Sequence, residues 1–241
     1  MTFAALTPLA DRASLFTAIR QDALAEATDA LGEHRWDVDM AAQTLTFTSN
    51  DDSARTLSAQ VHLIASIAPG PRSVLWGWAH PNGQPDGPAA QLKAYGEQYG
   101  IDELARAEVA FPDDIGDDVT AWVAQAAHTV GGVAVEIIGR SPYYSAPIGG
   151  GSRAVFLLDL PLEPVTVAHA VSVLPRIRAG LEIADERSAV GDLARLAGWS
   201  MQWTDEACSG AVVGDASGSA AFEFDAQARI TRISGSLGSD S

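Results

Sequence analysis

Two indoles and an imidazole occupy alternate positions in Val74-Leu75-Trp76-Gly77-Trp78-Ala79-His80-Pro81. Side chains of an extended strand alternate between faces, so this spacing puts Trp76, Trp78 and His80 beside Val74 and leaves Gly77 opposite. An apolar cleft with a titratable group at its mouth has this layout. Glu97, in Tyr95-Gly96-Glu97, is a second acid–base candidate. The competing reading makes both indoles core, each burying roughly 150–250 Å² and docking its N–H on a carbonyl. Core is the expectation adopted, and under it Trp78→Ala costs about 3–5 kcal/mol. His80 is then a hydrogen-bonding residue at a strand end and Glu97 a solvated carboxylate.

Other chemistry-bearing residues have simpler readings. Asp113, Asp114, Asp117 and Asp118 lack the alternating ligands and central glycine of a calcium loop and are placed to cap the helix that follows. Asp37 and Asp39 share a strand face, as glycosidase carboxylates can, but on an exposed hairpin. Glu136 falls in Val133-Ala134-Val135-Glu136-Ile137-Ile138, read as a strand with Glu136 on a solvated face. Gly149-Gly150-Gly151-Ser152-Arg153-Ala154 fits the loose dinucleotide fingerprint, yet a strand follows where a helix N-terminus is needed. There is no Walker A loop, no G-x-S-x-G elbow and no H-E-x-x-H pair. No two of His34, His62, His80, His128 and His169 lie within five residues of each other. Neither a metal nor a cofactor is expected.

The elements that must position these residues follow from periodicity. Leu15, Phe16, Ile19, Ala23, Leu24, Ala27 and Leu31 recur at helical spacing and Gly32 stops the run, so 11–31 is a helix. Alternation of apolar and polar residues over 36–40 and 44–48 marks a β-hairpin. Strands at 56–68 and 73–79 are joined by Pro69-Gly70-Pro71, and the turn-rich segment 81–88 closes the sheet. Helices are predicted at 89–98, 102–109 and 118–130, the last ending at Gly131. Strands at 133–139 and 154–160 flank a loop over 141–152. Beyond Leu160-Pro161-Leu162-Glu163-Pro164, helices at 165–174 and 175–184 break at Pro175. A helix at 188–197 and strands at 199–204, 211–214, 220–224 and 229–233 precede a tail, 234–241, expected to fray. The fold class is α+β: an antiparallel sheet flanked by helices over residues 1–161, with a smaller α+β unit over 162–241.

The 241 residues carry 31 acidic and 15 basic side chains, for a net charge of -16. Nucleic acid is therefore excluded as the expected partner, because phosphate binding needs a basic surface. An apolar fraction of 47% with 19% charged residues describes a chain that buries a core. The N-terminus lacks a cationic start and a continuous apolar run, and 121–139 is too interrupted for a membrane span, so a cytoplasmic location is expected. Cys208, the single cysteine, excludes an internal disulfide and a multi-thiolate zinc site.

Trp76, Trp78, Ala79, Tyr95, Gly96 and Glu97 together resemble an uncharacterised bacterial family, domain of unknown function 6882, over roughly residues 30–160. Members carry Trp-x-Trp-Ala-Asn at a strand end and Tyr-Gly-Glu in the next helix, and here His80 replaces the Asn. The resemblance implies a common fold and no assigned reaction, and it makes His80 a poor obligatory base. The function expected is a non-enzymatic binding or interaction module for a small molecule, a protein partner or a second copy of the chain. The alternative is an enzyme acting on a small apolar or acyl substrate in the Trp-lined cleft, with His80 or Glu97 as acid/base.

Overall fold

The helical spacing at the N-terminus forms α1 (Thr7–Asp29), with Pro8 in its first turn, where a missing N–H costs nothing. The computed structural model describes residues 3–237. The chain divides into two units, one comprising the residues before Asp11 together with Ala23–Pro161, the other comprising Asp11–Asp22 and the residues from Leu162 onward. Each unit combines helices with an antiparallel sheet, so the fold is α+β.

The first unit holds β1 (His34–Asp39), β2 (Thr44–Ser49), β3 (Thr56–Ala68), β4 (Ser73–Trp76), α2 (Ala90–Tyr99), α3 (Asp102–Ala105), β5 (Glu108–Ala110), α4 (Val119–Ile138), β6 (Tyr143–Gly149) and β7 (Ser152–Asp159). The hairpin sets Trp36 opposite Phe47, and Asp39 accepts the turn N–H groups of Ala41 and Ala42. The long β3 organises the sheet. One flank pairs with β2 over residues 56–60 and with β4 over 65–68; the other pairs with β7. The sheet is therefore split along one flank of β3, between β2 and β4. At this split Val61 N–H reaches Gln43 O and Ile64 O accepts Gly77 N–H.

Several elements differ from their sequence patterns. Helix α4 runs through Gly131-Gly132 to Ile138, where a stop and a strand were predicted. The glycines serve packing instead. A Cβ on Gly131 would lie 2.6 Å from the Tyr143 ring, and one on Gly132 would lie 3.3 Å from the Ala10 Cβ. Helix α4 is long and apolar enough to cross a bilayer, but 67% of that stretch is buried inside the protein, as in a core helix. Glu136 is accordingly buried on α4, not solvated on a strand. The segment read as a loop over 141–152 contains β6, whose Pro147 is tolerated because β6 pairs only with β7. Residues 102–109 form only the short α3 before turning into β5. Two simple readings hold: Asp118 caps α4 by accepting the Ala121 N–H, and Gly149, Gly150 and Gly151, all at positive φ, turn β6 into the strand β7 and not into a helix.

In the second unit α5 (Val167–Arg178) and α6 (Glu186–Ala197) cover a meander of β8 (Ser200–Trp203), β9 (Gly210–Asp215), β10 (Gly218–Phe224) and β11 (Ile230–Leu237). Pro175 lies within α5 and does not break it, since one lost hydrogen bond in the last turn is outweighed by burial of Val167, Ala170 and Leu174. The buried Glu186 carboxylate ties the layers together, accepting from Arg178 Nε at 2.6 Å and from Ile230 N–H at 2.5 Å. Part of the tail expected to fray belongs to β11, and the remainder lies outside the described residues.

Candidate functional site

Strand β4 ends at Trp76, two residues earlier than alternation alone would carry the indole face. The reason is Gly77. Its N–H donates to Ile64 O at 2.6 Å, and a Cβ there would sit 1.9 Å from Leu63 O, so the chain crosses β3 at backbone contact and leaves the ladder. Successive turns follow, with Ala79 N–H on Trp76 O, Gly83 N–H on His80 O and Gly87 N–H on Gln84 O, before α2 begins.

This break separates the residues expected to share one face. Trp76 is 1% exposed and donates from Nε1 to Glu103 O at 2.7 Å, so it is core. The crevice it borders, with Phe3, Leu6 and Val74, has no room for a water-sized group. Trp78 is half-buried in the turn. Its ring lies beneath Lys93 Nζ, 5.4 Å from the centroid, and its buried Nε1 has no hydrogen-bond partner among the described residues. The core expectation for Trp78 is thus corrected to a partly exposed position. Lys93 also pairs with the exposed Glu97 at 3.5 Å, so Trp78 and Glu97 meet through one ammonium group. His80 Nδ1 accepts the Asn82 N–H at 3.0 Å, which leaves the ring proton on Nε2. Burial lowers the His80 pKa, favouring this neutral form. Tyr95 and Tyr99 stack with centroids 4.4 Å apart on another side of α2, and Tyr99 is 59% exposed.

A second cluster carries no sequence motif. His62, 8% exposed on β3, bonds through Nε2 to Asp159 Oδ2 of β7 at 2.9 Å. Arg140, beyond the end of α4, reaches both Asp159 oxygens, at 2.7 and 2.6 Å. The weak signal for this cluster was His62, the one ionisable residue of β3, and Asp159, which closes the apolar run 154–158 of β7. Along the split flank of β3 runs a shallow open depression with room for about one water-sized group, lined among others by Met40, Gln43, His62, Asn82, Gln84 and Pro88.

Burial alone would push the Asp159 carboxyl up, but hydrogen bonds and charge from His62 and Arg140 outweigh it and hold the group below its ordinary value. A carboxyl shifted this way stabilises the fold above its unfolded pKa of about 3.9, and the contribution disappears as pH falls through the folded value. Chemical denaturation between about pH 5 and about pH 2 is therefore expected to show a steeper loss for the wild type than for Asp159→Asn. Parallel profiles would show that the cluster contributes nothing of this kind.

The first unit is thus an α+β module whose split antiparallel sheet presents a turn with a partly exposed indole. The chain belongs to the family of unknown function DUF6882, matched over residues 7–161. The match takes in α1 as well as the Trp-x-Trp and Tyr-Gly-Glu segments. No curated protein and no solved structure matches the chain. Two positions that carried the resemblance acquire a physical reason in this chain. A Cβ on Gly96 would lie 2.7 Å from the Leu104 Cβ, so the middle glycine of Tyr-Gly-Glu lets α2 close onto α3. The carboxamide oxygen of an Asn at position 80 offers the acceptor that His80 Nδ1 supplies to Asn82 N–H.

Proposed function

We propose that the DUF6882 unit is a cytoplasmic binding module and not an enzyme, and that its ligand-contacting surface is the rim formed by Trp78, His80, Lys93 and Glu97, with Trp76 as the buried support beneath it. The observation that carries this reading is the Trp78 indole, half-buried under Lys93 with an N–H that finds no acceptor among the described residues. An indole with one apolar face and an unanswered donor is the group that interfaces favour. His80 Nε2–H and the Lys93 ammonium are both donors, so the fitting ligand brings a carbonyl or carboxylate beside the exposed part of the Trp78 ring. The net charge of -16 disfavours nucleic acid as that ligand.

The enzymatic alternative draws less support from this rim. Glu97 is solvated and paired with Lys93, and the crevice beside Trp76 is too narrow for substrate. Pull-down together with size-exclusion and light scattering, run on wild type and on Trp78→Ala, tests the proposal. A partner or a self-association lost in the folded variant is the expected result. A strict monomer without a partner, or a partner retained by the variant, overturns it.

A further inference from the structure

We propose that Lys93 is an acylation site, and that acylation of its Nζ switches the Trp78 rim off by leaving Glu97 as an uncompensated charge. The inference deepens the reading of that rim as a ligand-contacting surface and rests on it. Lys93 is the only lysine among 15 basic residues, the others all being arginine. Its side chain is 44% exposed, with Nζ 5.4 Å from the centroid of the Trp78 ring and 3.5 Å from Glu97 Oε1.

Neither contact asks for a lysine. A guanidinium makes cation–π contacts more often than an ammonium does, and it can grip a carboxylate through two parallel hydrogen bonds. Arginine fills the pairing role close by, where Arg106 meets Asp102 at the same spacing of four residues, 2.6 Å apart. Lysine ahead of glutamate is also the weaker order along a helix. An exposed pair of this kind contributes little to stability. What lysine alone supplies is an amine that can give up its proton and act as a nucleophile, whereas a guanidinium stays protonated.

The co-reactant is an activated acyl group, carried as an acyl phosphate or an acyl thioester. The ammonium first gives one proton to solvent. The Nζ lone pair then attacks the acyl carbon and the N–C bond forms. The bond from that carbon to the phosphate oxygen or the thioester sulfur breaks, and the leaving group departs with its electron pair. The second nitrogen proton passes to the leaving group through water. The product is a neutral amide, so the cation–π contact and the ion pair are lost together. Glu97, whose side chain is 58% exposed, keeps its charge. The rim thus passes from a balanced pair to a net anion, and a carboxylate ligand meets repulsion where it met an ammonium.

The test incubates the full-length protein with acetyl phosphate and, separately, with acetyl-coenzyme A, and maps the modified peptides by mass spectrometry. Acetylation at Lys93 with at least one donor is the expected result, and the donor that works identifies the source of the acyl group. Lys93 left unmodified by both, while a free peptide of residues 88–98 is acetylated, overturns the assignment. The second readout is the Trp78 indole N–H resonance of the 15N-labelled protein, assigned by its absence in Trp78→Phe. It is expected to move on acetylation, and an unmoved resonance overturns the switch. Any partner captured by the wild type is expected to bind several-fold more weakly after acetylation. A partner lost in Trp78→Ala but held fully by the acetylated protein defeats the switch and leaves the rim standing. A partner kept by Trp78→Ala, or no partner at all, defeats the rim as a ligand surface and the switch with it, while the peptide map still decides whether Lys93 is acylated.

Discussion

Trp76→Ala is expected to destabilise the DUF6882 unit by about 3–5 kcal/mol, the range for truncating a buried large aromatic side chain. The indole is 1% exposed among Phe3, Leu6, Val74 and Val109, so its removal loses transfer free energy and leaves a cavity that strand-bound neighbours cannot refill. It also strands the Glu103 carbonyl, which now accepts Nε1–H at 2.7 Å. Such a loss is a large share of the roughly 5–15 kcal/mol that holds a typical domain together. Trp78→Ala is expected to cost much less, because that ring already partly faces water and its N–H has no partner to lose. Urea denaturation of the two variants decides the matter. A Trp76→Ala loss below about 1 kcal/mol, within the range of ordinary substitutions, or a larger loss at Trp78, would reverse the assignment of core and rim.

Gly77→Ala should be comparably damaging for a different reason. The added Cβ would meet Leu63 O at 1.9 Å and Leu63 C at 2.8 Å, both backbone atoms of β3 that no rotamer change can move aside. The strand β4 must then separate from β3 or the turn must be rebuilt, and the cost is at least the roughly 1–3 kcal/mol of an overpacked core site. Because Trp76 and Trp78 flank the glycine, near-ultraviolet circular dichroism should change along with the denaturation midpoint. Gly70→Ala is the matching control. A Cβ at Gly70 meets nothing within 4 Å, and a Gly→Ala change at a compatible position typically stabilises by about 0.4–1 kcal/mol through the unfolded chain. Equal behaviour of the two variants would show that the close crossing at Gly77 does not exist in solution.

The candidate sites were legible to different degrees. Trp78, Glu97 and His80 stand out by residue type, and their neighbourhood was correctly placed between a sheet and a helix. The face expected to carry Val74, Trp76, Trp78 and His80 together was not correct, because strict alternation ends where Gly77 meets the β3 backbone, a contact between residues far apart in the chain. The His62 cluster left only a weak signal in a linear reading, because Arg140 and Asp159 lie 78 and 97 residues from the histidine they surround.

The amino-acid sequence alone determined the elements whose signals are local: the N-terminal helix α1, the β1–β2 hairpin, the long β3 and the Asp118 cap. Each depends on residues within a few positions of each other, where period and capping chemistry are read directly. Tertiary structure decided the rest. Whether Gly131-Gly132 ends a helix or admits the Tyr143 ring, whether Pro147 breaks a strand or sits on an edge, and which imidazole nitrogen meets a carboxylate all depend on distant partners. The local penalty for a glycine inside a helix is only about 1 kcal/mol. Burial of one aromatic ring against the helix exceeds it, so packing overrules the local signal at these positions.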